Sequence, residues 1–177
     1  AHGLVGSEMC IRDRPNRLVF LCVVPMFHCN GWCYPWTVPM LNGKTICLRN
    51  IDIKKIFELI ETYKVTHFGG APIVLNMITG ASESDRKELK HKVYVLTAGA
   101  PPPSIIFKKM KSLGFEVMHV YGLTETYGHI TQCAWNDDWN SLDEDRVNEI
   151  KARQGVRYPN TGYLTPCLAL ILSLIHI

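Results

Sequence analysis

An α/β fold with a mostly parallel sheet and flanking helices is what this sequence predicts, and three observations carry the prediction. Residues 17–24 (RLVFLCVV) form an unbroken apolar run of the kind that a strand buried on both faces requires. Ile53, Ile56, Phe57 and Ile60 recur at i, i+3, i+4 and i+7, the stripe of a helix laid against a core. Strand-like and helix-like segments alternate over short Gly/Pro connections, which favours right-handed βαβ units. In such sheets a ligand binds at the carboxyl ends of the strands.

Taken in order, the first strand ends at Pro25 and a loop follows over residues 25–31. Residues 33–41 read as a short apolar helix despite Pro35 and Pro39, and Asn42-Gly43 makes a turn into a strand at 44–48. Asp52 is placed to cap a helix over 53–63, with its lysines and glutamates facing outward. A strand at 65–68 leads through Gly69-Gly70-Ala71-Pro72 to a helix at 73–78, and the charged residues 83–92 make an exposed segment. Residues 92–97 (KVYVLT) read as a strand, 98–103 as a Gly/Pro loop, 104–112 as an amphipathic helix and 115–121 as a further strand. The polar, acidic stretch 136–153 reads as a surface insertion that ends in a helix.

Composition narrows the function classes. The chain has 177 residues, 47% of them hydrophobic, and 19 Lys+Arg against 16 Asp+Glu, a formal net charge of +3. That length suits one globular domain or a large piece of one. An excess this small, without a basic cluster interleaved with aromatics, argues against a nucleic-acid partner. Seven irregularly spaced cysteines read as reduced thiols of an intracellular protein. The apolar stretch 167–177 is broken by Ser173 and His176 and falls short of the roughly 20 residues of a membrane span. No transmembrane segment is expected, and the sequence carries no signal of oligomeric state.

The two ends call for a separate reading. Residues 3–14 (GLVGSEMCIRDR) back-translate to one strand of a transposase sequencing adapter, and residues 172–177 (LSLIHI) to the reverse complement of its inner part. The expectation is that 1–14 and 172–177 are translated adapter and that 15–171 is an internal piece of a longer protein.

Three Gly/Pro-bearing loops carry the chemistry: PMFHCNGW after the first strand, TAGAPPP after the strand at 92–97, and YGLTET after the strand at 115–121. Tyr121 can lay its ring against a flat base, and Gly122 removes a side chain where backbone and ligand approach closely. Thr124 stands where a helix would begin, so its hydroxyl and the N–H groups that follow make an anion site. Glu125 offers the hard oxygen that Mg²⁺ prefers when it bridges phosphates. The small-residue run Ala98-Gly99-Ala100-Pro101 suits either main chain lying against a planar base or a rigid βα turn. His28 invites a catalytic role as a base. Cys22, Cys29 and Cys33 near it lack a C-x-x-C pair, which argues for core rather than zinc. His67, His91, His119 and His129 read as packed or surface imidazoles without a visible partner.

In this order and spacing, the three loops resemble those of the adenylate-forming, AMP-binding superfamily of acyl-CoA synthetases, luciferases and adenylation domains. The resemblance spans residues 25–155. It implies that 15–171 is the incomplete central part of the large N-terminal domain. It further implies that Tyr121, Gly122 and Ala98–Pro101 hold the adenine of ATP or AMP, Thr124 the α-phosphate and Glu125 the magnesium. His28 and Gly31 would line the passage between nucleotide, acyl pocket and thiol tunnel, and Gly69, Gly70 and Ala71 would wall the acyl pocket, with Met26, Trp32 and Met77 able to contribute. RQGVRY at 153–158 is similar to a stretch of the short- and medium-chain branch with plant-type acyl-activating relatives; after Tyr158 the likeness fades. The expected parent is an ATP-dependent acyl-CoA synthetase acting on a small-molecule carboxylate, ATP and coenzyme A. The alternatives are an adenylate-former with another acceptor, such as a carrier-protein thiol or a luciferase-like oxidation, and a nucleotide-binding relic. The Ser/Thr/Gly-rich phosphate loop, ribose-binding Asp, hinge and adenylation lysine of the family are not in this sequence, so the chain alone is expected to be inactive.

Overall fold

The computed structural model describes residues 17–126 and 128–158; residues 1–14 and 172–177, read above as adapter, and residues 159–171 lie outside them. Seven strands form one sheet in the order β2-β1-β3-β4-β5-β6-β7. The parallel part comprises β1 (Val19–Cys22), β2 (Lys44–Cys47), β3 (His67–Gly69), β4 (Val93–Thr97) and β5 (Phe115–Leu123). Two short antiparallel strands, β6 (Gly128–Gln132) and β7 (Val156–Arg157), extend it past β5.

The helices are α1 (Cys29–Trp32), α2 (Tyr34–Met40), α3 (Ile53–Tyr63), α4 (Pro72–Gly80), α5 (Ser104–Ser112) and α6 (Glu144–Lys151). Asp52 caps α3 as its sequence predicts, accepting from the Lys55 N–H at 3.0 Å. Ile56, Phe57 and Ile60 of α3 are each 0% exposed. With Val74, Leu75 and Ile78 of α4 and Ile106, Phe107 and Met110 of α5 they cover one face of the sheet, closing on Leu21, Phe68, Val95 and Phe115. Each such side chain contributes about 1.5–3 kcal/mol by leaving water. On the other face α2 lies over β1, with Tyr34 stacked on Phe20 at 4.1 Å.

The structure corrects several boundaries. The first strand is shorter than the apolar run, β3 begins two residues later than predicted, and β5 continues to Leu123 because it gains β6 as a partner. Between β1 and β3 the Thr66 hydroxyl accepts from the Val19 N–H and donates to the Val19 carbonyl, both at 3.1 Å, a stitch that the apolar pattern does not announce. Nor is 136–153 a simple surface insertion. Asn148 (4% exposed) and Ile150 (5% exposed) are buried where α6 packs on α5 and β5. His119 Nδ1 donates to the Ala152 carbonyl at 2.7 Å, and the Cys133 thiol donates to the Ile150 carbonyl at 3.2 Å. His119 thus has a partner, as do His67 (Thr66 Oγ1, 2.8 Å) and His91 (Val65 carbonyl, 2.7 Å).

Candidate functional site

Parallel pairing puts the ends of β1, β3, β4 and β5 on one edge of the sheet, because Leu21 registers with Phe68, Gly69 with Leu96 and Thr97 with His119. The loops 23–28, 69–71 and 98–103 and the turn 124–126 all leave from that edge. The first of them runs into α1, whose Cys29 thiol donates to the Thr124 hydroxyl at 3.4 Å. The Gly70 N–H donates to the Leu96 carbonyl at 2.9 Å, tying the Gly69-Gly70-Ala71 segment to the strand that leads into Ala98–Pro101.

The loop after β1 holds an unusual backbone. Cys29, Asn30, Gly31, Trp32 and Cys33 all have positive φ, between 41° and 64°, a left-handed turn rather than the plain loop expected. Four of the five carry side chains, at a cost of about 1–2 kcal/mol each, and such strain concentrates at functional sites. The turn sends Trp32 back over the sheet, where its ring lies 3.1 Å from the position that a Gly69 Cβ would take. His28 is exposed at the rim, its ring tilted against Phe27 with centroids 4.5 Å apart. Among the described residues no hydrogen bond joins His28 to Thr124 or Glu125.

Gly122 serves a different neighbour from the one its motif suggests. A Cβ there would lie 2.0 Å from the Gly128 carbonyl oxygen, so the missing side chain makes room for β6 across a bulged hairpin. Thr124–Thr126 form a single 3₁₀ turn, not the start of an α-helix, so the anion site expected of helical N–H groups narrows to the Thr124 hydroxyl and this turn. Thr126, which the motif left without a role, holds the turn: its hydroxyl accepts from the Leu123 N–H at 2.8 Å and faces the Gly128 carbonyl at 2.8 Å. Thr124 and Glu125 project outward, and Glu125 makes no ion pair among the described residues. Tyr121 is buried at 7% exposure, and its hydroxyl has no hydrogen-bond partner among them.

The loop at Ala98–Pro101 offers main chain rather than side chains. Ala98 is buried at 3% exposure, while Gly99 has φ +94° and nothing within 4 Å of where a Cβ would stand. That open, left-handed position is one a planar group could approach. A single accessible carboxylate also suits magnesium, which keeps most of its waters and takes one or two protein oxygens beside substrate phosphates. The residues present therefore fit a nucleotide and its metal.

Burial tunes the nearby groups. The Cys33 thiol is pushed up by burial and then by the neighbouring Cys29, which keeps it protonated. Burial alone lowers His129 to about 4. Away from this edge, a cavity of about 590 Å³ opens over the other face of β3–β5, lined by His67, Tyr94, Glu116, Met118, Trp135 and Lys151 among others. None of the candidate residues lines it, and the Lys151–Glu116 ion pair spans its wall. Among the described residues no helix is long and apolar enough to cross a membrane.

Comparison with known proteins places these features in context. The family described as AMP-binding enzyme matches residues 2–168. The chain is 52% identical over 160 residues to the peroxisomal acetate/butyrate–CoA ligase AAE7 of Arabidopsis thaliana, covering 89% of this chain and 28% of that protein. It is 48% identical over 142 residues to the 2-methylpropanoate–CoA ligase CCL4 of Humulus lupulus, covering 80% of this chain and 25% of that one. Among solved structures it is similar to the N-terminal domain of FACL13 from Mycobacterium tuberculosis, with a TM-score of 0.62 and 28% identity over 68% of this chain and 31% of that one. The O-succinylbenzoate coenzyme A synthetase of Bacillus subtilis in complex with AMP shares the fold, with a TM-score of 0.64 at 16% identity over 88% of this chain and 30% of that one. The chain thus spans little more than a quarter of the curated relatives' length.

Proposed function

The chain belongs to the family of AMP-binding enzymes, and from that premise we propose that it is the central part of an AMP-forming acid–thiol ligase. The parent is an intracellular acyl-CoA synthetase that joins a short carboxylate to coenzyme A at the expense of ATP. The observation that carries this reading is the meeting of α1 with the turn 124–126 at the carboxyl edge, where the Cys29 thiol lies 3.4 Å from the Thr124 hydroxyl and the Glu125 carboxylate stands unpaired beside it. Curated relatives named for acetate, butyrate and 2-methylpropanoate support short acyl substrates and CoA as acceptor.

A carboxylate is a poor electrophile, so it must first acquire a good leaving group. In the proposed reaction its oxygen attacks the α-phosphorus of ATP, the bond to pyrophosphate breaks, and an acyl-adenylate forms. The thiol of CoA then attacks the acyl carbon and AMP leaves. The work of this part of the protein is alignment and charge stabilisation. Thr124 donates to an α-phosphate oxygen once its contact with Cys29 yields, and Thr126 keeps the turn in shape for it. The open backbone at Gly99, with Ala98, Ala100 and Pro101, lies along the adenine, and the Tyr121 ring backs that position from the strand. Glu125 would hold magnesium, which supplies neutralisation of phosphate charge when bound. Gly69, Gly70 and Ala71 would form part of the wall of the acyl site, with Trp32 packed 3.1 Å from where a Gly69 Cβ would stand, while His28 and Gly31 lie at the passage to the thiol.

Carboxylate-dependent exchange of pyrophosphate into ATP by the full-length parent tests the first half-reaction, with acetate, propanoate and butanoate as probes. Exchange that requires the carboxylate is expected. No exchange with any carboxylate would contradict the proposal.

A further inference from the structure

Cys22, Met26 and Cys47 take no part in the chemistry above, yet the fold gathers their three sulfurs at one place. Cys22 closes β1 and registers with Cys47, the last residue of β2, in the parallel ladder. Register partners on neighbouring strands lie about 4.8 Å apart and send their side chains to the same face of the sheet. The Cys22 thiol is pushed up by burial first and then by Cys47, so the two groups are near enough to interact. The loop after β1 brings up the third sulfur. The Cys22 thiol donates to the Met26 Sδ at 3.9 Å and to the Val24 carbonyl at 3.6 Å.

The trio is open to an incoming ion. Cys47 is exposed, Met26 is 61% exposed and Cys22 is half-buried. Both thiols are free of disulfides. Two thiols and a thioether are soft ligands, which select copper(I) over cations that prefer oxygen. Metal–sulfur bonds of about 2.3 Å at angles of about 110–120° set two sulfurs about 3.8–4.0 Å apart. The separation of Cys22 and Met26 is therefore that of two ligands on one ion. Zinc is a poorer match, because its structural sites close on four ligands. Among the described residues no group of three or more His, Cys, Asp and Glu is placed to hold a metal. Copper(I) makes no such demand and is complete with three sulfurs.

We propose that Cys22, Met26 and Cys47 form a binding site for copper(I) where β1 and the edge strand β2 end. On binding, each thiol releases its proton to solvent, two copper–thiolate bonds form and the Met26 thioether adds the third, neutral donor. No electron is transferred. The ion then ties β2 to β1 and to the loop that carries His28. The site stands apart from the ligase reading, whose steps use none of the three sulfurs.

The test is competition for copper(I) against the chromogenic chelator bicinchoninate, with the reduced full-length parent in the absence of oxygen. The wild type is expected to withdraw one copper(I) per chain more than Cys22→Ser or Cys47→Ser. Met26→Leu should weaken that ion about tenfold or more, since loss even of an outer partner costs about 10–100-fold in metal affinity. The double variant Cys29→Ser/Cys33→Ser should keep it. Cys47 and Met26 are exposed, so Cys47→Ser and Met26→Leu decide the matter should Cys22→Ser fail to fold. Equal uptake by wild type and Cys47→Ser overturns the proposal. So does an affinity unmoved in Met26→Leu, or a copper(I) that is lost with Cys29 and Cys33 instead. Uptake is read without carboxylate or ATP, so its failure leaves the ligase reading untouched.

Discussion

The helix-covered face of the sheet and its carboxyl edge obey different rules. On the covered face Ile56, Phe57, Ile60, Leu75, Ile78 and Met110 are each 0% exposed, on helices whose apolar residues keep regular spacing. At the edge Phe27 is 79% exposed and Met26 61%, and five consecutive residues hold positive φ. The first region gains stability from every residue, whereas the second holds exposed apolar groups and strain that only a bound ligand or a neighbouring part of the parent turns to use. Stability and the proposed function thus lie in separate parts of the same βα units.

Breaking the covered face has the largest expected effect. Phe57 is 0% exposed and meets Phe115 edge-on with centroids 5.9 Å apart. Phe57→Ala is expected to cost about 3–5 kcal/mol in denaturant unfolding of the parent's domain, with any folded fraction keeping its KM for ATP.

Acid sharpens the contrast from the other side. His129 titrates at about 4 when folded and at its ordinary 6.5 when unfolded. Between those values the unfolded chain binds the extra proton. The contribution is therefore complete above about pH 6.5 and declines as the pH falls toward 4. About 2 kcal/mol is lost between pH 7 and 5. His119, also lowered by burial, acts with the same sign. Melting of the parent at the two pH values, with and without His129→Phe, measures the term, and an unchanged pH slope in the variant contradicts it.

Glycines at the edge give smaller effects of two kinds. A methyl at Gly69 meets Trp32, Tyr34 and Val24 at 3.1–3.2 Å, so Gly69→Ala is expected to cost stability and to favour shorter acyl chains. The stability loss should be about 1–3 kcal/mol. Gly99→Ala meets no atom within 4 Å but is strained at φ +94°. It should cost only about 1 kcal/mol in stability while raising the KM for ATP.

The contrast between the regions also explains what was legible in the sequence. Helix α3, its Asp52 cap and the parallel strands follow from hydrophobic spacing, which is local and periodic. The hairpin of β6 with β5 does not, since GHITQ is short and half polar and becomes a strand only because Gly122 lets the Gly128 backbone close on it. The left-handed turn at 29–33 runs against the preference of Cys29, Trp32 and Cys33, and only Asn30 and Gly31 hint at it. The loops of the candidate site are legible through the family resemblance and their place after strands. The contacts that organise them, Cys29 to Thr124, Thr126 to Leu123 and Trp32 to His129, join positions that no spacing rule connects.

The central claim is that acyl activation belongs to the carboxyl edge and not to the open face of the sheet. Its most direct test is carboxylate-dependent pyrophosphate exchange by the full-length parent carrying Glu125→Gln, set beside Glu116→Gln, which breaks the Lys151 ion pair at the cavity on the open face. The edge variant should lose about 10²-fold or more, the scale of removing one fixed charge-stabilising group, while the open-face variant exchanges within a few-fold of wild type. Wild-type exchange in Glu125→Gln would contradict the account.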